Sequence, residues 1–230
     1  MNFAKNLQVL RKMTGMTQEE LAEKLDVSRQ TVSKWELGAV LPEVDKLVVL
    51  CETFNCSIDQ LLRENMVFSN EAYINIRIRT VEPFRYIRYA AISCEPEEDA
   101  IAHVKNWAKR LKIEKPYIIG WDFPHVSQEQ RNVFHMRGYE AALILDDEQE
   151  IGDIDAQAIR QGKQNYITIT LKMIAGEEFT LIPNAYKALF THMAINGIKG
   201  KNDPSILSCY EHEYFDNEGA KLMDIYIAIE

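Results

Sequence analysis

Residues 17–38 read TQEELAEKLDVSRQTVSKWELG, and the fold of the first part of the chain turns on this stretch. Thr17 is followed three residues later by Glu20. A hydroxyl and a carboxylate at that spacing satisfy each other's backbone amides and start a helix. Leu21, Leu25 and Val27 give that helix an apolar side. Ser28 caps a second helix, in which Val32 and Trp35 turn inward, and Gly38 suits its end. Only Asp26 and Val27 lie between the first helix and the Ser28 cap. A connection that tight forces the two helices to cross steeply.

The pattern extends in both directions. Upstream, FAKNLQVLRKM places Phe3, Leu7 and Leu10 on one helical face, and Gly15 breaks it. Downstream, Pro42 opens a helical pattern in which Leu47, Val48, Leu50 and Cys51 recur. SIDQLL, capped by Ser57, makes one more short helix. Within the second helix of the opening pair, Ser28, Arg29, Gln30, Thr31, Ser33 and Lys34 hold hydroxyls, an amide and two cations, with no acid before Glu36. Short polar side chains let a helix enter the major groove, and Arg and Gln form paired bonds to base edges. Arg29, Gln30, Ser33 and Lys34 project to one side. The stretches LRKMTGMTQEELAEKLDVSRQTVSKWELG and LPEVDKLVVLCETFNCSIDQLL resemble the phage-repressor (Xre/Cro-type) helix-turn-helix family over residues 2–62. The resemblance implies a five-helix domain whose third helix reads DNA. It implies Arg29, Gln30 and Lys34 as base readers, Gln18, Ser28 and Ser33 as phosphate contacts, and Arg11 with Glu36 as an internal ion pair.

The whole chain of 230 residues carries 35 acidic and 26 basic residues, a net charge of −9. That balance argues against a protein that wraps broadly on nucleic acid or anionic membrane. Residues 1–66 hold 8 basic and 10 acidic side chains, so binding to DNA depends on where the cations sit, not on bulk charge. The cysteines Cys51, Cys56, Cys94 and Cys209 form no CxxC pair and read as free thiols in apolar surroundings. No apolar run approaches the ~20 residues a membrane helix needs. The N-terminal residues read as an amphipathic helix instead of a signal peptide, which gives a cytoplasmic expectation. The five histidines are scattered, and no glycine-rich phosphate loop occurs. No metal, haem or other cofactor is expected.

Residues 65–72 read as a connector between a first domain at 1–64 and a second at 73–230. Beyond it the apolar period changes to two. Ile74, Ile76 and Ile78 share one side, and PFRYIRYAAIS continues the strand after Pro83. A helix from about Pro96 has Ile101, Val104, Trp107, Ala108 and Leu111 on its apolar face. Strands follow at PYIIGWDF and HMRGYEAALIL. The order then recurs: strand NYITITLKMI, helix IPNAYKALFTHMAI, strand ILSCYEHEYF, turn DNEG, strand KLMDIYIAI. This is strand-helix-strand-strand, twice, so the fold class is multidomain, α followed by α+β. Residues 124–135 and 147–163 read as loop elaborations.

On SCYEHEYF the strand period puts Cys209, Glu211 and Glu213 on one face, and Tyr210, His212 and Tyr214 on the other. Two carboxylates about 7 Å apart on one strand face are awkward in a core, so they face solvent or meet a cation. EPFRYIRYAAIS, VKNWAKRL, IGWDFP, IPNAYKALFTHMAINGIK and YEHEYFDNEG resemble the gyrase-inhibitor-like (GyrI-like) effector-binding domains. The segment from Ala175 to Thr180 is short by comparison. The resemblance implies two units about a pseudo-twofold, with a cleft that binds organic, often cationic and aromatic, molecules against an acidic side chain. Glu213 or Glu211 is the candidate counter-charge. Trp121, Tyr86, Tyr139 and Phe190 are candidate aromatic walls, and Trp107 reads as core or as wall.

These readings point to a ligand-responsive transcriptional regulator. It would bind a palindromic operator as a homodimer, because two half-sites demand two readers. A small-molecule effector would bind the second domain. An enzyme, such as a hydrolase of this fold on a DNA-binding module, is the alternative. A protein that sequesters a macromolecule is a third reading.

Overall fold

The computed structural model describes residues 2–63 and 73–230, so the connector expected at 65–72 lies outside the described residues. The chain divides into two compact units. One comprises Met1–Ile74 with Ile174–Lys199, the other Asn75–Met173 with Gly200–Glu230.

In the first unit, α1 (Phe3–Met13), α2 (Gln18–Lys24), α3 (Arg29–Glu36), α4 (Val44–Thr53) and α5 (Ile58–Leu62) follow one another. Their starts are set locally. Thr17 and Ser57 each form the reciprocal capping box, and the Ser28 hydroxyl accepts from the Thr31 amide. The turn from α2 to α3 passes through Asp26 at φ 51°, a left-handed position that Asp tolerates, and Gly38 at φ 71° ends α3. Phe3, Leu7, Leu10, Leu21, Leu25, Val32, Trp35, Leu50, Phe54 and Leu61 are buried. Asn6 is buried too, and its Nδ2 donates to the Gln60 and Leu61 carbonyls at 3.1 and 3.0 Å, tying α1 to α5. Val48, expected on the apolar face of α4, is exposed, because that helix buries chiefly its Leu50 side.

The second unit is built on strands β1 (Tyr73–Val81), β2 (Phe84–Ser93), β3 (Ile118–Asp122), β4 (Arg137–Leu145), β5 (Ile159–Gln161), β6 (Gln164–Lys172), β7 (Cys209–Phe215) and β8 (Lys221–Ala228). They form one eight-stranded sheet in the order β1-β6-β8-β7-β3-β4-β2-β5. Helix α6 (Pro96–Arg110) packs on β2 and β4. Pro96 sits in its first turn, where the missing N–H costs nothing. Ala100, Val104, Trp107 and Ala108 of α6 bury against Ile87, Ala91, Ala141, Leu143 and Leu145. A second cluster joins Tyr86, Ile119, Ala142, Tyr166, Tyr210 and Tyr226, with Trp121 packed against it. No helix among the described residues is long and apolar enough to cross a membrane.

Three expectations are corrected. The stretch around Pro83 is not one strand: β1 is an edge neighbour of β6, while β2 pairs with β4 and β5. Pro83 lacks an N–H and restricts Glu82, so β1 ends there and β2 starts at Phe84 with other strand partners. The segments expected as loops carry α7 (Gln128–Asn132), capped by Ser127, and the short strand β5. Ile78, on the apolar side of the period-two pattern, is exposed. Finally, the helix expected from Ile182 starts at Glu178 and runs to Ile195 as α8, and it belongs to the first unit instead of the sheet unit. There the Asn55 side chain donates to the Ala194 carbonyl at 3.2 Å.

Candidate functional site

Two arrangements of side chains stand out, one in each unit. The first is the outer face of α3. Arg29, Gln30, Ser33 and Lys34 line a shallow depression of about 270 Å³ on one side of the helix. Val32, Trp35 and Glu36 point inward and are buried. The side chains of Arg29, Gln30 and Lys34 are exposed and engage in no hydrogen bond or ion pair among the described residues. Their donors are therefore available to a partner. Ser28, Thr31 and Gln18, also sequence candidates, have work inside the domain. The Ser28 and Thr31 hydroxyls lie 2.9 Å apart within the cap. The Gln18 amide donates to Glu36 Oε2 at 2.8 Å. Glu36 also accepts from Arg11 Nε at 2.6 Å and Nη2 at 3.1 Å, a forked pair that fixes α3 on α1.

The second arrangement is a cleft of about 210 Å³ in the sheet unit. Strand β7 contributes Glu211, Glu213 and Phe215, β4 contributes Tyr139, and β3 contributes Ile118 and Gly120. Helix α6 adds Glu97, Ile101 and Lys105, and Lys221 enters from the start of β8. The geometry follows from strand parity. Glu211 and Glu213 share a face of β7, while Tyr210 turns to the aromatic cluster on the opposite face. Gly120 pairs with Glu211 and, on its other side, with Ala141. A Cβ at Gly120 would stand 2.2 Å from the Tyr139 hydroxyl, so glycine is what lets that ring lie across β3 in the cleft.

The electrostatics of the cleft are mixed. Lys221 Nζ lies 2.8 Å from Glu213 Oε1. Glu97 keeps solvent contact, yet its carboxyl is pushed above the ordinary glutamate range. Partial burial is the main cause and the Glu213 carboxylate the next, with Lys221 opposing. Burial, then Glu211, Glu97 and Glu213, raise the Tyr139 phenol far above its usual range, so it stays protonated and can donate. Three carboxylates, two ammonium groups, two phenols (Tyr139 and Tyr214) and apolar walls suit an organic molecule carrying positive charge. No cluster of His, Cys, Asp and Glu among the described residues could hold a metal ion.

Of the sequence candidates for the cleft, Glu211, Glu213 and Tyr139 meet there, and four do not. Trp107 is buried beneath α6, edge-on to Tyr89 and His103. Trp121 follows Gly120, so parity turns it to the opposite face, where its Nε1 donates to Glu140 at 2.9 Å. Tyr86 is buried in that opposite cluster beside Phe84. Phe190 lies on α8 in the other unit, stacked on Tyr186. Sequence reasoning missed Glu97, Gly120 and Lys221. Lys221 had a local signal. The DNEG turn places Phe215 opposite Lys221 and Glu213 opposite Met223, which brings Lys221 diagonally within reach of Glu213.

The family model described as "Helix-turn-helix" matches residues 7–61. The chain is 45% identical over 62 residues to the HTH-type transcriptional activator BcrR of Enterococcus faecalis, covering 27% of this chain and 30% of that one. It is 36% identical over 67 residues to the HTH-type transcriptional regulator ImmR of Bacillus subtilis (strain 168), covering 29% and 53%. The chain thus spans about a third to a half of the length of these two relatives. Among solved structures, the EcmrR chain in a cryo-EM EcmrR–DNA complex aligns with 93% of this chain and 98% of its own. Its identity is 9% and the TM-score 0.49, a likeness too distant to bear on function. The matched segment lies within the first unit and contains α2 and α3: residues 7–61 are a helix-turn-helix segment similar to those of transcriptional regulators.

Proposed function

We propose that this protein is a cytoplasmic, ligand-responsive transcriptional regulator. Helix α3 enters the major groove, with Arg29, Gln30 and Lys34 on base edges and Ser28, Ser33 and Gln18 toward phosphates. Two copies bind a palindromic operator, one reader per half-site. Residues 73–230 read as two strand-helix-strand-strand halves, with α8 as the second helix and β2-β4-β3 answering β6-β8-β7, and the sheet senses a small cationic aromatic molecule against Glu211 and Glu213. The ligand acts by binding DNA-competent and incompetent arrangements with different affinity. One observation carries the reading. A single chain bears a helix with unengaged base-reading groups and, separately, a carboxylate-lined cleft with two phenols and apolar walls.

The reading face is tested by fluorescence anisotropy on an operator selected from random duplexes. Gln30→Ala is expected to cost about 1–3 kcal/mol of discrimination between operator and random DNA. Binding to random duplex should change far less, and all affinities should fall steeply with salt. Equal losses on both duplexes would exclude direct readout by Gln30.

The cleft is tested by thermal shift with benzyltrimethylammonium, a permanent aromatic cation. Wild type should be stabilised, and the gain should shrink in Glu211→Gln and in Glu213→Gln. Stabilisation that survives both changes would remove the counter-charge role. The raised Glu97 carboxyl beside Glu213 also supports a second reading, in which the two groups act as acid and base on a bound ester or amide. Turnover of an aryl ester by wild type, lost in Glu97→Gln, would favour that enzyme.

A further inference from the structure

We propose that Lys221 is a built-in competitor: in the unliganded protein its ammonium holds the place on Glu213 that a ligand's cationic group takes. This rests on the reading of the cleft as a cation site. Lys221 Nζ lies 2.8 Å from Glu213 Oε1, and both residues line the cleft. The side chains are 42% and 34% exposed, so the pair is screened and weak enough for another cation to break. A four-carbon stem lets the ammonium swing into solvent with no change of backbone. The backbone beneath is fixed. Asp216 accepts from the Glu218 and Ala220 amides, and its own amide donates to the Ala220 carbonyl, which pins the β7–β8 turn.

The consequence is selectivity. With Lys221 in place the cleft holds three carboxylates against Lys105 and Lys221, and with Lys221 displaced it gains one uncompensated negative charge. A tethered ammonium competes at high effective concentration. A ligand therefore succeeds only if it brings both a positive charge and apolar surface for Ile101, Ile118 and Phe215. A neutral aromatic molecule has no claim on Glu213 and leaves the ion pair intact. Lys221 thus sets which molecules the cleft admits, without itself being a required contact.

The test uses the full chain and calorimetric titration with benzyltrimethylammonium and with its neutral carbon isostere, neopentylbenzene. Lys221→Met is expected to bind the cation about fivefold more tightly than wild type, the size of one exposed ion pair. Affinity for the neutral isostere should not change. Lys221→Arg keeps the competitor and should bind the cation no more tightly than wild type. Glu213→Gln should weaken cation binding, and adding Lys221→Met to it should bring no gain, because the two act through the same carboxylate. If Glu213→Gln weakens binding but Lys221→Met does not strengthen it, the cation site stands and the competitor falls. If neither wild type nor Lys221→Met binds the cation, both fall.

Discussion

Arg11→Met is expected to destabilise the helix-turn-helix unit by about 3–5 kcal/mol, the largest stability effect of any surface-accessible substitution in it. Arg11 is 13% exposed and Glu36 3% exposed, so removing the guanidinium leaves a carboxylate with almost no water to solvate it. The Gln18 amide remains at 2.8 Å, but a single neutral donor does not replace a forked cation. Arg11 Nη1 also donates to the Met16 carbonyl at 2.8 Å, so the α1–α2 turn loses a partner as well. Amide exchange at Val32 and Trp35, which reports opening of this unit in the full chain, should accelerate accordingly. The double change Arg11→Met with Glu36→Leu should recover more than half of the loss, because the orphaned charge dominates over the lost attraction. A single-variant effect below about 1 kcal/mol would show that water reaches Glu36 and that the pair is an ordinary surface one.

In the proposed reading that ion pair matters for DNA binding, because α3 has eight residues and little of its own to hold it. Its inward side offers Val32, Trp35 and the methylenes of Glu36. Its outward side presents Arg29, Gln30 and Lys34 to solvent. The angle at which Arg29, Gln30 and Lys34 are presented therefore depends on one buried carboxylate gripped from α1 and α2. A loosened Glu36 should lower operator affinity before the unit unfolds.

How much of this was legible in the sequence differs between the units for a physical reason. Caps act within four residues, so Thr17, Ser28 and Ser57 announced α2, α3 and α5 directly. Strand parity is equally local, so the common face of Glu211 and Glu213 was readable. Parity also shows why Trp121 failed as a cleft residue. Its neighbour Gly120 faces the cleft, and a strand sends adjacent side chains to opposite sides. Nothing local marks Gly120 as the cleft-facing member, since its role depends on Tyr139 from the next strand. Glu97 is brought in by a helix that begins three residues after β2 ends, and only the packing of α6 on the sheet decides where its first turn points. The partition of α8 was illegible for another reason. EFTLIPNAYKALFTHMAI is apolar on nearly every side, with Phe179 and Phe190 exposed, so its pattern does not say which surface it will cover.

Gly120→Val is the sharpest probe of the cleft, and it should remove cation binding by more than about tenfold while costing roughly 3 kcal/mol of stability. The new Cβ would stand 2.2 Å from the Tyr139 hydroxyl and 2.6 Å from two ring carbons, so the ring must move. It cannot sink, because Ala141 and Leu143 on the same strand already pack a closed core with Trp107 and Val104. The open direction is the cleft, where the displaced phenol would fill space that the ligand needs. Adding Tyr139→Ala to Gly120→Val separates the two effects. The clash disappears, so much of the stability should return, as thermal melts will show. Cation binding should stay weak, because the wall and its donor are gone. If Gly120→Val leaves both melting temperature and benzyltrimethylammonium affinity unchanged, the Tyr139 ring does not lie across β3, and the cleft has a different floor. The same pair of variants bears on mechanism. A regulator that senses through this cleft should, as Gly120→Val, keep its operator affinity yet lose all response of that affinity to the cation. In the proposed reading, DNA recognition rests on α3 and its grip on Glu36, whereas the response requires that a ligand first find room beside Glu211 and Glu213.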